Sequence, residues 1–254
     1  MPELFSDEAH FGILSGSGTT DFGGDMKQGV SFFCPAYNDE GNIRKTVETA
    51  LATFERLSLD HEVVVVEDGS PDRTGEVADQ LARDYSAVRV IHHKRNRGYG
   101  GALRSGFKEA RNFALTTYTD GDGQYDFSEF EKLLDAWEEG VCVVGYRINR
   151  AEGFRRDFQN KVYGLLLKLL FGLRVRDVNC SLKLFPREYL DRIEITSNSS
   201  FLDGEVLIKL GRLGVPVREV PVHHYPRMHG EASGTKVTVI TDTIREMLAF
   251  RLRG

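Results

Sequence analysis

Four consecutive valines, Val63 to Val66, stand between Glu62 and Glu67. A β-branched run with no polar residue at alternate positions suits a central parallel strand covered on both faces. The chain around it supplies what such a sheet needs. Val30–Ala36, Val88–His92, Leu115–Thr119 and Val141–Gly145 are short apolar runs of strand length. Between them lie segments with helical spacing: residues 42–57, with Ile43, Val47, Ala50, Leu51 and Phe54 on one side, then roughly 73–85, 99–113 and 127–138. Alternating strands and helices predict an α/β fold with a mainly parallel, Rossmann-like sheet flanked by helices. The second half is less regular and predicts a smaller mixed part: a helix over 155–172, a strand over Ser181–Phe185, a helix over 202–213, a strand over 216–222 and a loop over 223–235. A C-terminal helix is expected over 237–252. The domain reading is an acidic, Gly-rich arm over 1–29, one domain over 30–236 with halves 30–145 and 146–236, and an amphipathic helix over 237–254.

Composition removes several alternatives. Cys34, Cys142 and Cys180 are far apart with no Cys-x-x-Cys, which argues against a zinc ribbon, a disulfide scaffold and a thioredoxin-like motif. No apolar run approaches the ~18 residues of a membrane span. No basic-then-apolar leader is seen, so the expected compartment is the cytoplasm. The chain carries net charge -5, yet residues 141–184 hold nine Lys or Arg against three acids. That reversal is either a solvated helix face or a surface that meets an anion. Lys94-Arg95-Asn96-Arg97 has no nucleic-acid module around it and suits a strand-end loop near a phosphate; no nucleic-acid partner is expected.

Polar residues gather where the strands end, and ligands of open α/β sheets sit at that edge. Pro35-Ala36-Tyr37-Asn38-Asp39-Glu40 follows the first strand, Glu67-Asp68-Gly69-Ser70 the second, and Asp120-Gly121-Asp122-Gly123-Gln124 the fourth. Each alone is ordinary turn chemistry. Together they predict one acidic-rimmed crevice. Asp120 and Asp122, one residue apart on a turn, suit a hard divalent cation held by one or two carboxylates plus substrate phosphates. No Gly-x-x-x-x-Gly-Lys loop is present, and Gly98-Tyr99-Gly100-Gly101 lacks the dinucleotide spacing. Gly98 still opens a helix whose free N–H groups suit a phosphate or a sugar hydroxyl, as well as a plain tight turn.

In this order the motifs resemble family 2 glycosyltransferases of the GT-A fold. Gly145-Tyr146-Arg147, Leu173-Arg174-Val175-Arg176-Asp177, Ser181-Leu182-Lys183-Leu184-Phe185 and Glu219-Val220-Pro221-Val222 resemble its dolichyl-phosphate mannose synthase branch, over residues 30 to about 236. The resemblance implies metal-dependent, inverting transfer of a hexose, mannose or glucose, from a nucleotide sugar to a polyprenyl phosphate. The donors it implies are GDP-mannose, UDP-glucose or UDP-N-acetylglucosamine. It implies that Pro35, Tyr37, Glu40, Asp68 and Gly98 meet the nucleotide sugar. Asp120, Asp122 and Gln124 would gather Mg²⁺ or Mn²⁺ at the diphosphate. Arg147, Lys183, Arg227 and Ser233 would meet the acceptor phosphate, with Asp122, Arg147, Glu205 and Arg227 as catalytic residues. The sequence departs from the branch at Gly121, where Ala is common, and at Cys180-Ser181-Leu182-Lys183, where Ser-Gly-Phe-Arg is common.

An acceptor phosphate is already ionised near neutral pH, its second pKa being about 6, and attacks without a base. A hydroxyl acceptor needs one, for which Asp203 or Glu205 would serve. The alternatives are therefore a hydroxyl acceptor with the same donor, or a nucleotide-sugar-binding subunit without turnover. Phe154, Phe158, Val162, Leu165, Leu166, Leu169 and Leu170 form an apolar stripe bordered by Lys and Arg. Such a helix either packs on its own core or lies in an anionic interface. The resemblance favours the interface and a peripheral place at the cytoplasmic face of a membrane, either directly or through a separate membrane subunit. The C-terminal helix is a second contact or a homo-oligomer surface.

Overall fold

The computed structural model describes residues 29–148, 154–227 and 237–253. The elements run β1 Gly29–Ala36, α1 Ile43–Arg56, β2 Asp60–Glu67, α2 Thr74–Asp84, β3 Val88–His92, α3 Gly98–Glu109, β4 Leu115–Tyr118, then a 3-10 turn Phe127–Glu129 leading into α4 Phe130–Asp135. They continue with β5 Cys142–Ile148, α5 Phe154–Phe171, β6 Lys183–Pro186, α6 Arg187–Leu190, α7 Leu202–Arg212, β7 Val217–His223 and α8 Val237–Arg253. The strands form one seven-stranded sheet of order β3-β2-β1-β4-β6-β5-β7. The pairs β3-β2, β2-β1, β1-β4 and β5-β7 are parallel, and β6 runs antiparallel to both its neighbours. The expected mixed part is thus a continuation of the same sheet.

The valine run is central, and all four residues have no exposed surface. Strand periodicity sends Val63 and Val65 to one face and Val64 and Val66 to the other. Each pair enters a different core. One is built with α1, α2 and α4, the other with α3, α5, α7 and α8. Burial of each valine contributes roughly 1.5–3 kcal/mol. Phe32 and Phe33 of β1 divide the same way.

Several boundaries differ from the sequence reading. Gly29, assigned to the arm, is the first residue of β1; residues 1–28 lie outside the described part. Helix α3 stops at Glu109, because Asn112 turns back to give its backbone and side-chain N–H groups to the Glu62 carboxylate at 2.7 and 2.8 Å. The expected helix over 127–138 is a 3-10 turn plus a six-residue helix. Strand β6 starts at Lys183, and α6 follows it directly.

The antiparallel insertion of β6 matters for function. It pairs Tyr118 with Lys183, so the residues before β6 meet the residues after β4. Strands β5 and β7 then run in the β4 direction and end at the same edge as β1, β2 and β4.

Candidate active site

Loops from five strands meet at that edge. After β1, Asn38 takes a left-handed φ of 57°, which Asn tolerates better than most residues. The turn folds Asp39 inward, where its Oδ2 accepts from the Tyr37 N–H at 3.0 Å. The Asp39 N–H donates to Thr74 Oγ1 at 2.8 Å, which ties the turn to the start of α2. After β2, Gly69 holds a φ of 68°, and a Cβ there would lie 2.7 Å from the Arg95 backbone, so only glycine lets these two loops touch. Asp68 is buried beside it and accepts from His93 Nδ1 at 2.5 Å and from the Arg97 N–H at 2.9 Å. Asp68 therefore fixes the loop leading to Gly98.

After β4 the chain passes Asp120 and Asp122. The Gly121 N–H donates to the Pro35 carbonyl at 3.1 Å, and a Cβ at 121 would sit 2.8 Å from that oxygen. This close approach explains glycine where the resemblance leads one to expect alanine. Gln124 gives its N–H to Asp122 Oδ1 at 3.0 Å. Its backbone carbonyl and its Nε2 clasp the Tyr225 backbone at 2.8 and 3.1 Å. The clasp brings Arg227, from beyond β7, to Asp39 and Asp122; Nη2 lies 3.2 Å from Asp39 Oδ1 and 3.3 Å from Asp122 Oδ2.

Asp120 is the most perturbed acid of the group. Its Oδ1 is buried and accepts no hydrogen bond among the described residues. Burial first, then the charges of Asp122 and Asp203, push its carboxyl up to about 7. Burial likewise raises Asp39 to about 6, against the pull of the Tyr37 N–H and Arg227. Among the described residues no three His, Cys, Asp or Glu side chains gather as a complete metal cage. Two neighbouring carboxylates, one with an unsatisfied buried oxygen, nevertheless fit a Mg²⁺ or Mn²⁺ ion that completes its shell with substrate phosphates and water.

The fold brings Pro35, Asp120, Asp122, Gln124 and Arg227 together, with Asp68 and Gly98 on the adjoining loops. Tyr37 is about two-fifths exposed beside them. Glu40 is exposed and accepts from the Arg73 N–H at 3.0 Å, so it staples two loops at the rim. The acid that turns inward is its neighbour Asp39, which the sequence reading passed over.

Three side chains expected to act at the site, Arg147, Lys183 and Glu205, are engaged internally. Arg147 grips Asp177 with a bidentate fork, Nε to Oδ2 at 2.7 Å and Nη2 to Oδ1 at 2.9 Å, and both side chains are almost wholly buried. Breaking such a buried pair costs about 3–5 kcal/mol. Its guanidinium is therefore not presented to an acceptor phosphate. Lys183 has no exposed surface; its ammonium donates to Asp203 Oδ1 at 2.5 Å and to the Tyr118 hydroxyl at 2.9 Å. It is a core cation and cannot contact a ligand. Glu205 is also fully buried. It accepts from the Thr196 N–H and hydroxyl, the Ser197 N–H and Lys209 Nζ, at 2.7–3.0 Å at closest. A carboxylate so saturated has no lone pair directed at a substrate, which removes it as a base. Asp203, the other candidate base, is held by Lys183 and Tyr118. Ser233 lies outside the described residues.

Two helices carry exposed apolar stripes. Val162, Leu165 and Leu169 of α5 are 40, 54 and 72% exposed, and Ile244, Leu248 and Leu252 of α8 are 39, 48 and 88% exposed. Lys161, Lys168, Arg174, Arg245, Arg251 and Arg253 are exposed on the same two helices and the turn after α5. No helix among the described residues is long and apolar enough to cross a membrane.

Comparison with known proteins agrees with this geometry. Residues 31–194 match Glycosyl transferase family 2. Glycosyltransferase AglD of Haloferax volcanii is 33% identical over 227 residues, covering 85% of this chain and 35% of that protein. Dolichyl-phosphate beta-glucosyltransferase of Saccharomyces cerevisiae is 28% identical over 243 residues, covering 85% of this chain and 71% of its own length. The Drosophila melanogaster protein of the same name is 32% identical, with 82 and 69% covered. Glucosyl-3-phosphoglycerate synthase of Mycobacterium tuberculosis, solved with Mn²⁺, uridine diphosphate and phosphoglyceric acid, superposes with a TM-score of 0.66 at 20% identity, over 88% of this chain and 78% of that one. The last likeness establishes a shared fold, the GT-A fold expected from the motifs.

Proposed function

The chain belongs to glycosyl transferase family 2, and we propose that it transfers a hexose from a nucleotide sugar to a polyprenyl phosphate with the help of a divalent cation. The observation that carries this reading is the pair Asp120 and Asp122 at the carboxyl edge of the sheet, with a buried Asp120 oxygen left unsatisfied. Support for the acceptor comes from relatives named for dolichyl phosphate and from undecaprenyl-phosphate 4-deoxy-4-formamido-L-arabinose transferases at 26–29% identity. The beta-glucosyltransferase names favour glucose, so UDP-glucose is the first donor to test and GDP-mannose the second.

The acids of the site support a phosphate nucleophile. Both candidate bases are engaged, Asp203 by Lys183 and Tyr118, Glu205 by Thr196, Ser197 and Lys209. A hydroxyl acceptor would find neither of these two acids free to act as its base. A phosphate monoester does not require one, and the enzyme need only set it in line with the anomeric carbon. Attack on the face opposite the leaving diphosphate inverts the sugar. When bound by Asp120 and Asp122, Mg²⁺ or Mn²⁺ would offset the negative charge that develops on that diphosphate. Asp68 holds the Arg97 loop against the crevice where the nucleotide would lie, and Arg227 stands where it can turn from two carboxylates to a phosphate. Domain limits of 29–236 for the catalytic unit are part of the same proposal.

A lipid acceptor places the crevice near a membrane. The exposed leucines of α5 and α8, bordered by Lys and Arg, suit the interface of an anionic bilayer. The test is transfer of labelled sugar from UDP-glucose, GDP-mannose and UDP-N-acetylglucosamine into solvent-extractable polyprenyl phosphate, with Mn²⁺ or with chelator. Chelator-sensitive label in the lipid supports the reading. Donor hydrolysis without lipid label would sink the acceptor assignment.

A further inference from the structure

One nitrogen of Arg227 touches both Asp39 and Asp122, at 3.2 and 3.3 Å. The three residues come from loops after β7, β1 and β4, so the sheet itself assembles this contact. All three side chains are mostly buried. The backbone clasp between Gln124 and Tyr225 fixes where the arginine enters. Asp122 is also one of the two carboxylates that suit the divalent cation. A guanidinium and a dication cannot share that oxygen without strong repulsion. A cation bound at about 2.1 Å from Asp122 Oδ2 would lie no more than about 5.4 Å from Nη2.

We propose that Arg227 is a resident counter-ion of the cation site: it neutralises Asp122 while the site is empty and must give up that contact when a divalent cation binds. Asp39 makes the exchange cheap. Its carboxylate holds the same nitrogen from the other side, so the arginine can swing away from Asp122 while still paired. Cation binding and the position of Arg227 are thereby linked. A ligand that favours one arrangement shifts the other by the same free energy. The side chain best placed to meet an incoming phosphate is thus restrained until the cation is in place. This rests on the reading of Asp120 and Asp122 as the cation carboxylates.

The test uses Mn²⁺ alone with the full chain, measured as free Mn²⁺ by electron paramagnetic resonance at about pH 8, above the raised carboxyl values. Removing the competing charge in Arg227→Gln should tighten Mn²⁺ binding about tenfold, even though sugar transfer falls. Arg227→Lys keeps a competing charge and should stay near the wild-type affinity. Thermal unfolding of both variants checks that they fold. A second readout follows the contact directly. Tryptic cleavage after Arg227, read by mass spectrometry, should quicken when Mn²⁺ saturates the wild type, because the arginine gives up one of its two carboxylates. Equal or weaker Mn²⁺ binding by Arg227→Gln, or cleavage unchanged or slowed by Mn²⁺, overturns the proposal while leaving the cation site standing. Absence of Mn²⁺ binding in both proteins overturns the proposal and the cation site together.

Discussion

Replacing Glu205 by Gln separates a structural acid from a catalytic one. The carboxylate takes the Thr196 N–H and hydroxyl and Lys209 mainly on Oε1, and the Ser197 N–H on Oε2 at 2.7 Å. A glutamine can present its single oxygen to one set only. With the oxygen facing Thr196 and Lys209, the new NH₂ confronts the buried Ser197 N–H. One unsatisfied donor costs about 1–3 kcal/mol. The Lys209 pair, whose lysine is one-fifth exposed, adds up to about 1 kcal/mol. The sum is roughly 1–4 kcal/mol, which for a chain of this size lowers Tm by about 2–16 °C. Burial alone would raise this carboxyl, but Lys209 and the Ser197 and Thr196 donors hold it below the ordinary glutamate range. Its stabilisation is therefore present above that range and lost as pH falls through the lowered value. The variant should be far less stable than wild type at neutral pH, and the gap should close as pH falls through that lowered value. Turnover per folded molecule, measured well below Tm, should stay within a few-fold. An unchanged Tm together with a loss of 10²-fold or more, the size expected for a general base, would refute the reasoning.

Other expectations follow from the same site. Burial pushes the Asp39 and Asp120 carboxyls up to about 6 and about 7, so the folded state holds these protons more tightly than the unfolded chain and gains stability from them at low pH. That contribution is lost as pH rises through 6 and 7; Tm scans should show Mn²⁺ stabilising the protein more at pH 8 than at pH 6, as cation displaces proton. Gly121→Ala drives a Cβ to 2.8 Å from the Pro35 carbonyl; about 1–3 kcal/mol of stability should be lost in denaturant titration, with weaker Mn²⁺ binding because Asp120 and Asp122 move. Leu169→Asp and Leu252→Asp change side chains that are 72 and 88% exposed. Stability should shift by no more than about 0.5 kcal/mol, while cosedimentation with anionic vesicles should fall; unchanged cosedimentation would remove these helices from the interface.

The sheet was legible because its signals are local. Val63–Val66 can be buried on both sides only in the middle of a layered fold, and the turn residues after each strand mark one edge. Asp120 and Asp122 were legible for the same reason, being two acids on one turn. What the sequence hid is pairing at long range. Nothing near Arg147 says that Asp177 fills its fork, or near Lys183 that Asp203 and Tyr118 bury its charge. Charge type at those positions was readable, but whether the charge faces a ligand or the core was not. Asp39 shows the converse. In Asn38-Asp39-Glu40 either acid suits a ligand, and the choice is made by the left-handed turn at Asn38 and by Arg227, 188 residues away.

The central claim is that an ionised phosphate attacks the sugar without a protein base, beside a cation held by Asp120 and Asp122. Polyprenyl phosphate and the matching polyprenol, offered at equal concentration with the preferred labelled donor and Mn²⁺, test it most directly. Label should enter only the phosphate, with the anomeric configuration inverted, and should vanish with chelator or in Asp120→Asn. Label in the polyprenol at a comparable rate, or transfer that survives both chelator and Asp120→Asn, would contradict it.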